Sequence, residues 1–209
     1  MTEATTSSPA SSPQRRSLRG ILLKLMVVFA AALGLLVLIV STRPNELRIS
    51  RSVVIKADST SVFAHVNDFH LWDEWSPWAK LDPQAKTEFE GPSSGKDAVF
   101  KWSGNAEVGI GSMTIVESSP AERIRIRLDF VSPQQDSSDV EFTFVPDGDS
   151  TRVTWTMTGQ HTFVSKAICF LLNMEKMLGG QFETGLAKMK AAVEKEAASK
   201  AATPNKPLN

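Results

Sequence analysis

The stretch RIRIRLDF, residues 123–130, alternates charged and apolar side chains without a fault. Successive side chains of a β-strand point to opposite faces of a sheet, so the apolar residues share one face and the charged residues share the other. This pattern is typical of a half-buried antiparallel strand. The stretch therefore predicts an antiparallel sheet with one apolar face, which needs a second layer to cover it.

The same two-residue period recurs on both sides of this stretch, with a turn signal at Asp147-Gly148 and an interruption at Gly109-Ile110-Gly111 that we interpret as a β-bulge. Two short helices are predicted between the first strand and the others, over residues 61–67 and 69–75, and the second ends before Pro77. Further strands are predicted over residues 48–57, 98–102 and 107–117 and around residues 140–144 and 153–157.

The carboxy-terminal region predicts one long helix over residues 164–198, because apolar residues such as Phe182 and Leu186 recur there at spacings of three and four. Gly179-Gly180 predicts a bend within it. An antiparallel sheet with one apolar face and a helix with one apolar stripe cover each other. The sequence therefore predicts an α+β domain over residues 46–198, in which a curved antiparallel sheet wraps around the long helix.

The amino-terminal region differs in composition from this domain. Residues 21–40 are apolar except for Lys24, which is enough to cross a bilayer as a helix. We interpret residues 18–42 as a transmembrane anchor, since a cleaved signal peptide has a shorter apolar region and a small-residue cleavage site. Residues 1–17 are predicted to form a disordered cytoplasmic tail, and residues 199–209 a flexible one.

The charge distribution predicts the orientation of this anchor. Residues 1–43 carry five basic side chains and one acidic one, a net +4, whereas the remainder carries 18 basic and 22 acidic, a net −4. Positive residues stay on the cytoplasmic side, so we expect a single-pass membrane protein whose amino terminus is cytoplasmic and whose domain is extracytoplasmic. The total charge of zero gives no basic field for nucleic acid, and no nucleic-acid partner is expected.

Four stretches of the chain resemble the SRPBCC family of polyketide cyclases/dehydrases and lipid-transport proteins, within the START/birch-pollen-allergen helix-grip superfamily. They are SVVIKADSTSVFAHVNDFHLWDEWSPWAKLDP, EFEGPSSGKDAVFKWSGNAEVGIGSMTIVESSP, TRVTWTMTG and MEKMLGGQFETGLAKMKAAVE. The resemblance covers about residues 48–196. It implies a helix-grip fold with a deep cavity between sheet and helix, but no shared set of catalytic residues, because the superfamily hosts several activities on one scaffold.

Aromatic and apolar residues are the candidates for lining such a cavity, because a few well-placed aromatics can hold a hydrophobic ligand. Packing in an ordinary core is the alternative for most of them. The Trp72, Trp75 and Trp78 cluster is the candidate for the cavity mouth. The predicted ligand-binding residues are Trp72, Trp75, Trp78, Phe89, Trp102, Phe130, Phe144, Trp155, Met174, Glu175 and Leu178.

Polar candidates are few. Glu175 is the sole charge on the helix stripe, and it could bind a ligand head group or pair with an arginine such as Arg125. His65, His70 and His161 lack the spacing of a helical metal pair, so neither a metal nor a cofactor is expected.

The sequence thus predicts a membrane-anchored domain that binds or carries a hydrophobic small molecule or lipid, with no identified catalytic residue. Two alternatives stay open. A cyclase- or aromatase-like enzyme would need an acid–base group in the cavity, for which Glu175 and His65 are the candidates. A membrane-tethered interaction domain with a filled core would have no ligand at all.

Overall fold

The computed structural model describes residues 14–42, 44–133, 135–160, 163–171 and 173–202. The chain divides into two compact units, residues 1–43 and 44–209. In the first unit, helix α1 (Gln14–Thr42) begins four residues before the predicted anchor. Its segment Gly20–Thr42 has 23 residues and is long and apolar enough to cross a membrane. The remainder of the predicted tail, residues 1–13, lies outside the described residues.

Within the described residues of the second unit, seven strands form one antiparallel sheet in the order β1-β7-β6-β5-β4-β3-β2. The register shifts between Ile110 and Gly111, which confirms the irregularity predicted there. Strand β2 was not predicted, because its five exposed residues show no contrast between its two faces. The strands are β1 (Glu46–Ile55), β2 (Lys86–Glu90), β3 (Val99–Ser103), β4 (Ile110–Ser119), β5 (Arg123–Ser132), β6 (Asp136–Asp147) and β7 (Ser150–Gln160).

Two short helices follow β1, as predicted. Helix α2 (Ser59–Asn67) is capped by Asp58, whose carboxylate accepts a hydrogen bond of 2.9 Å from the Ser61 amide. A 3-10 turn (Phe69–Leu71) then leads into α3 (Trp72–Trp75), which ends before Pro77. These elements cover part of the apolar face of the sheet.

The carboxy-terminal region forms two helices, α4 (Phe163–Leu171) and α5 (Met174–Ala202). The prediction of one helix with a bend at Gly179-Gly180 is therefore wrong, since α5 runs through both glycines without interruption. The break falls before α5, at Asn173, which has a φ of 50°. Asparagine tolerates this left-handed conformation better than most residues, and the Asn173 carbonyl accepts the first amide hydrogen bonds of α5.

Helix α5 packs against the apolar inner face of the sheet, and Phe182, Leu186, Met189 and Val193 are buried in the shared core. Two hydrogen bonds to β1 define the direction of α5. Lys190 donates to the Val54 carbonyl near the end of β1, and Glu183, nearer the start of the helix, accepts from Arg51, nearer the start of the strand. A curved antiparallel sheet around a long carboxy-terminal helix confirms the predicted α+β architecture.

Candidate functional site

The two ends of the sheet are defined by its strand pairing. Glu46 at the start of β1 pairs with Gln160 at the end of β7, and we call this the open end. Ile55 pairs with Thr151 at the other end, which we call the closed end. Because all neighbouring strands pair antiparallel, every strand runs along the direction that joins these two ends.

Burial of the inner face changes from one end to the other. On β5, Ile124 and Ile126 are fully buried, whereas Leu128 and Phe130, further along the same face, are only partly buried. Strand β7 repeats this order and ends with Met157 partly buried. On these two strands the inner face is therefore filled toward the closed end and incompletely covered toward the open end, whereas on β1 Ile49 is buried and Val53 is only partly buried.

Stacked aromatic rings fill the middle of the sheet. The Trp155 ring stacks on Phe182 of α5 with centroids 4.1 Å apart, and it also stacks on Phe142 at 4.9 Å. Trp75 and Trp72 meet Trp155 edge-on, at 5.7 and 6.4 Å. Phe144 lies further toward the closed end and is buried as well. This cluster joins sheet, α3 and α5 into one core.

Hydrogen bonding separates the buried tryptophans. The indole nitrogen of Trp72 donates to the Val66 carbonyl at 3.0 Å, and that of Trp75 donates to the His65 carbonyl at 3.1 Å. The indole nitrogen of Trp155 is buried and has no acceptor among the described residues. The structure thus gives Trp72 and Trp75 a packing role below the surface, and ligand contact at these positions stays a prediction.

Partly buried apolar side chains cover the inner face toward the open end, and we call them the open-end surface. Trp102 lies between Phe100 and Phe130, with ring centroids at 6.0 and 5.6 Å. Phe89 extends this aromatic row to the sheet edge and is 43% exposed. The open-end surface consists of Leu47, Phe100, Trp102, Met113, Leu128, Phe130, Met157 and Leu178.

Other predicted residues lie next to this surface. Trp78 is partly buried and touches Trp155 edge-on at 5.9 Å. Met174 begins α5 and is partly buried too. The structure therefore brings Trp102 and Phe130 together at the open end, places Leu178 on α5 against the core, and holds Trp78 against Trp155.

Glu175 is paired with an arginine, but not with Arg125. Its carboxylate accepts a 2.9 Å hydrogen bond from Arg51, whose guanidinium also donates to Glu183 at 2.7 Å. Arg51 lies on the inner face of the edge strand β1, and Gly179 leaves the space that its guanidinium occupies. The two carboxylates raise the pKa of Arg51. Arg125 instead lies near Glu117 at 3.7 Å.

His65 is held between two helices. Its Nε2 atom lies 3.2 Å from the Glu196 carboxylate of α5, and its Nδ1 atom lies 3.0 Å from the Ser61 carbonyl. Lys200 and, to a smaller extent, His65 lower the pKa of Glu196. His65 and Glu175 are thus both engaged in contacts that fasten α5 to the remainder of the domain.

Two depressions of the surface lie away from the inner face. One, of about 660 Å³, is lined by residues of α2, α3 and α5 that include His65 and Lys188. The other, of about 180 Å³, lies on the outer face of the sheet beside Arg48 and Arg125. In the part of the chain that the structure describes, no three His, Cys, Asp or Glu side chains come together as metal ligands, and His161 lies outside that part.

An antiparallel sheet closed at one end over a long carboxy-terminal helix defines this domain as a helix-grip domain. Its sequence matches the family described as "Polyketide cyclase / dehydrase and lipid transport" over residues 46–194. The chain belongs to this family, and the predicted resemblance is confirmed. The family description connects the domain with hydrophobic ligands. No curated protein matches the chain in sequence.

Solved structures share the fold at low sequence identity. The protein of unknown function SA2116 from Staphylococcus aureus is 12% identical, with a TM-score of 0.55 over 73% of this chain and 96% of that chain. MLL2253 from Mesorhizobium loti is 13% identical, with a TM-score of 0.53 over 71% and 98%. Ara h 8.0201 is 11% identical, with a TM-score of 0.52 over 71% and 97%. Such likenesses show the fold alone.

Several residues of this site were not predicted. Phe100, Met113, Leu128 and Met157 lie within predicted strands but are not among the predicted ligand-binding residues. Arg51 carries a signal that could have been found, because it replaces an apolar residue at an inner position of β1.

Proposed function

We propose that this protein is a membrane-anchored carrier or binding domain for a hydrophobic small molecule or lipid, held between the open end of the sheet and the start of α5. The open-end surface is the observation that supports this proposal. Eight apolar side chains on the inner face stay partly exposed to water, although on β5 and β7 the same face is buried toward the closed end. An apolar ligand would remove that surface from water, at about 25 cal/mol per Å².

The proposed ligand-binding residues divide by depth. Trp102, Phe130 and Leu178 would contact the ligand directly, with Phe89, Trp78 and Met174 around them. Trp72, Trp75, Phe144 and Trp155 would form the floor on which it rests. Glu175 would shape the rim through its ion pair with Arg51 and would not enter the site.

The proposed location follows from α1 and its flanking charges. Helix α1 would hold the protein in the membrane, with the amino terminus cytoplasmic and the domain extracytoplasmic, because basic residues precede the apolar segment. Protease added to intact spheroplasts should then digest the domain. A domain that is protected in spheroplasts and cleaved only after lysis would reverse this orientation.

The ligand proposal is tested with the full chain in liposomes that contain a phospholipid with a photoactivatable diazirine in its acyl chain. After illumination, peptide mass spectrometry should find lipid adducts on the strands that carry Met113, Leu128 and Met157, in addition to adducts on α1. Leu128→Trp should reduce the domain adducts at least several-fold, because the larger ring fills the open end.

The matched control is Val145→Trp, which adds the same ring at a 53% exposed position near the closed end. It should leave the adduct yield unchanged. Adducts confined to α1 in the unsubstituted protein, or equal yields from both variants, would contradict the proposed site.

A further inference from the structure

Helix α4 exposes large apolar side chains. Phe163 and Ile168 are both 46% exposed, and Met177, early in α5, is 51% exposed. Helix α4 is only nine residues long, and most of its residues are apolar. Apolar side chains that a helix exposes to water can be buried in the interface of a membrane when the helix lies along it.

The structure places α4 at the open end. It follows β7, whose last residue, Gln160, belongs to that end. The Lys166 ammonium donates a 2.9 Å hydrogen bond to the Asn45 side chain, and Asn45 directly precedes β1. Helix α4 is therefore held beside the point at which the chain enters the domain from α1.

The covalent chain limits how far this point can be from the membrane. Thr42 ends α1 and Glu46 begins β1, so only residues 43–45 separate them. A fully extended chain covers about 14 Å over that interval. The interfacial region on each side of the hydrocarbon core is itself roughly 6 Å thick. Apolar side chains held beside Asn45 are thus within reach of the bilayer that holds α1.

We propose that α4 docks on the bilayer, with Phe163, Ile168 and Met177 inserted into its interface, so that the open end of the sheet faces the lipid. This inference rests on the proposed function, because it requires α1 to be an anchor. The occupant of the exposed face is the membrane and not a second copy of the chain, since the short linker keeps α4 beside the membrane in every copy. A lipid could then move between the bilayer and the inner face without crossing water.

The test uses the full chain in liposomes and an environment-sensitive fluorophore at a single cysteine. Cys169→Ser removes the only native cysteine. Ile168→Cys, or independently Phe163→Cys, then places the label on α4, and Val145→Cys places it on an apolar position of similar exposure near the closed end. Circular dichroism checks that each labelled protein is folded.

Labels on α4 should emit at shorter wavelength than the Val145→Cys label. They should also be quenched at least threefold more strongly by phospholipids that carry a nitroxide on the acyl chain. Equal quenching of the α4 and control labels would overturn the docking proposal. Labels on α4 that are shielded from water but not quenched by the lipid nitroxide would also overturn it, in favour of contact between two copies.

The failure of docking is distinguishable from the failure of the proposed function. Water-exposed labels on α4, together with diazirine adducts that still depend on Leu128, would reject docking alone. A protein that does not float with the liposomes would reject the anchor, and the docking proposal with it.

Discussion

Trp75 and Trp155 offer a matched pair of substitutions, because both are buried and, among the described residues, only the Trp75 indole nitrogen has a hydrogen-bond acceptor. Replacing either with Phe removes roughly 40 Å³, which at about 24 cal/mol per Å³ gives about 1 kcal/mol of cavity cost in each case. Trp75→Phe also loses the bond to the His65 carbonyl, which adds about 1–2 kcal/mol. Trp155→Phe removes a buried N–H without an acceptor and so recovers about 1–3 kcal/mol. Trp75→Phe should therefore lower the free energy of unfolding by about 2–3 kcal/mol, whereas Trp155→Phe should leave it unchanged or raise it by up to about 2 kcal/mol.

Urea unfolding followed by far-ultraviolet circular dichroism measures this difference, because that signal does not depend on the tryptophans being changed. The full chain is compared in identical detergent micelles, so that any contribution of α1 cancels. Changes in the free energy of unfolding that agree within about 0.5 kcal/mol for the two variants would refute the reasoning, since they would mean that the Trp155 indole nitrogen is hydrogen-bonded after all.

Three further predictions concern other parts of the domain. Asp58→Ala should lower the free energy of unfolding by about 1 kcal/mol at pH 7. Hydrogen bonds from Ser61 hold the pKa of Asp58 below its usual 3.8, so the stability that the carboxylate contributes is present above pH 3.8 and is lost as the pH falls through the lower folded pKa. Urea unfolding should therefore show a smaller difference between the two proteins at pH 3 than at pH 7. Gly180→Ala, which meets open space, should raise the free energy of unfolding by up to about 1 kcal/mol, whereas Gly179→Ala should gain little, because its methyl displaces the Arg51 guanidinium; equal gains would contradict the role of that contact. Phe182→Ala should cost about 3–5 kcal/mol because it removes the ring stacked on Trp155, whereas the exposed Phe163→Ala should cost well under half of that, as compared by thermal unfolding.

The strands could be predicted because one-sided burial leaves a period of two in the sequence. Residues 123–130 show it without a fault, and the structure confirms a strand there with a buried inner face at its start. The cap at Asp58 could be predicted as well, because a carboxylate ahead of a helix bonds the first free amides. Strand β2 could not, since all five of its residues are exposed and its faces do not differ.

The helix break could not be predicted from composition. Two adjacent glycines lower the helix propensity of the segment, yet α5 continues through them. Gly179 lies where the Arg51 guanidinium packs against the helix and leaves no room for a side chain. The chain turns instead at Asn173, which has a φ of 50°. Propensity is a local quantity, and here contacts with the sheet outweigh it.

Depth of burial within the candidate site also escaped prediction. Trp72 and Trp78 are six residues apart and are chemically identical. The Trp72 indole nitrogen donates a hydrogen bond to the Val66 carbonyl and the side chain is buried, whereas Trp78 stays partly exposed. Which of two identical side chains lies in the core depends on an acceptor supplied by another element. Likewise Glu175 could be predicted to pair with an arginine, but the choice of Arg51 over Arg125 required knowledge of which strand forms the sheet edge.

The direction of β1 decides which end of the sheet stays uncovered. At the closed end helix α2 covers the sheet, where Phe63 of α2 meets Phe144 edge-on at 5.5 Å. Helix α2 can reach only that end, because β1 finishes there and three residues lead directly into the helix. The start of β1 must then lie at the uncovered end. If β1 ran the other way, α2 would cover the end that is now open. The order of elements along the chain is therefore sufficient to leave the apolar surface exposed at the end where β1 begins.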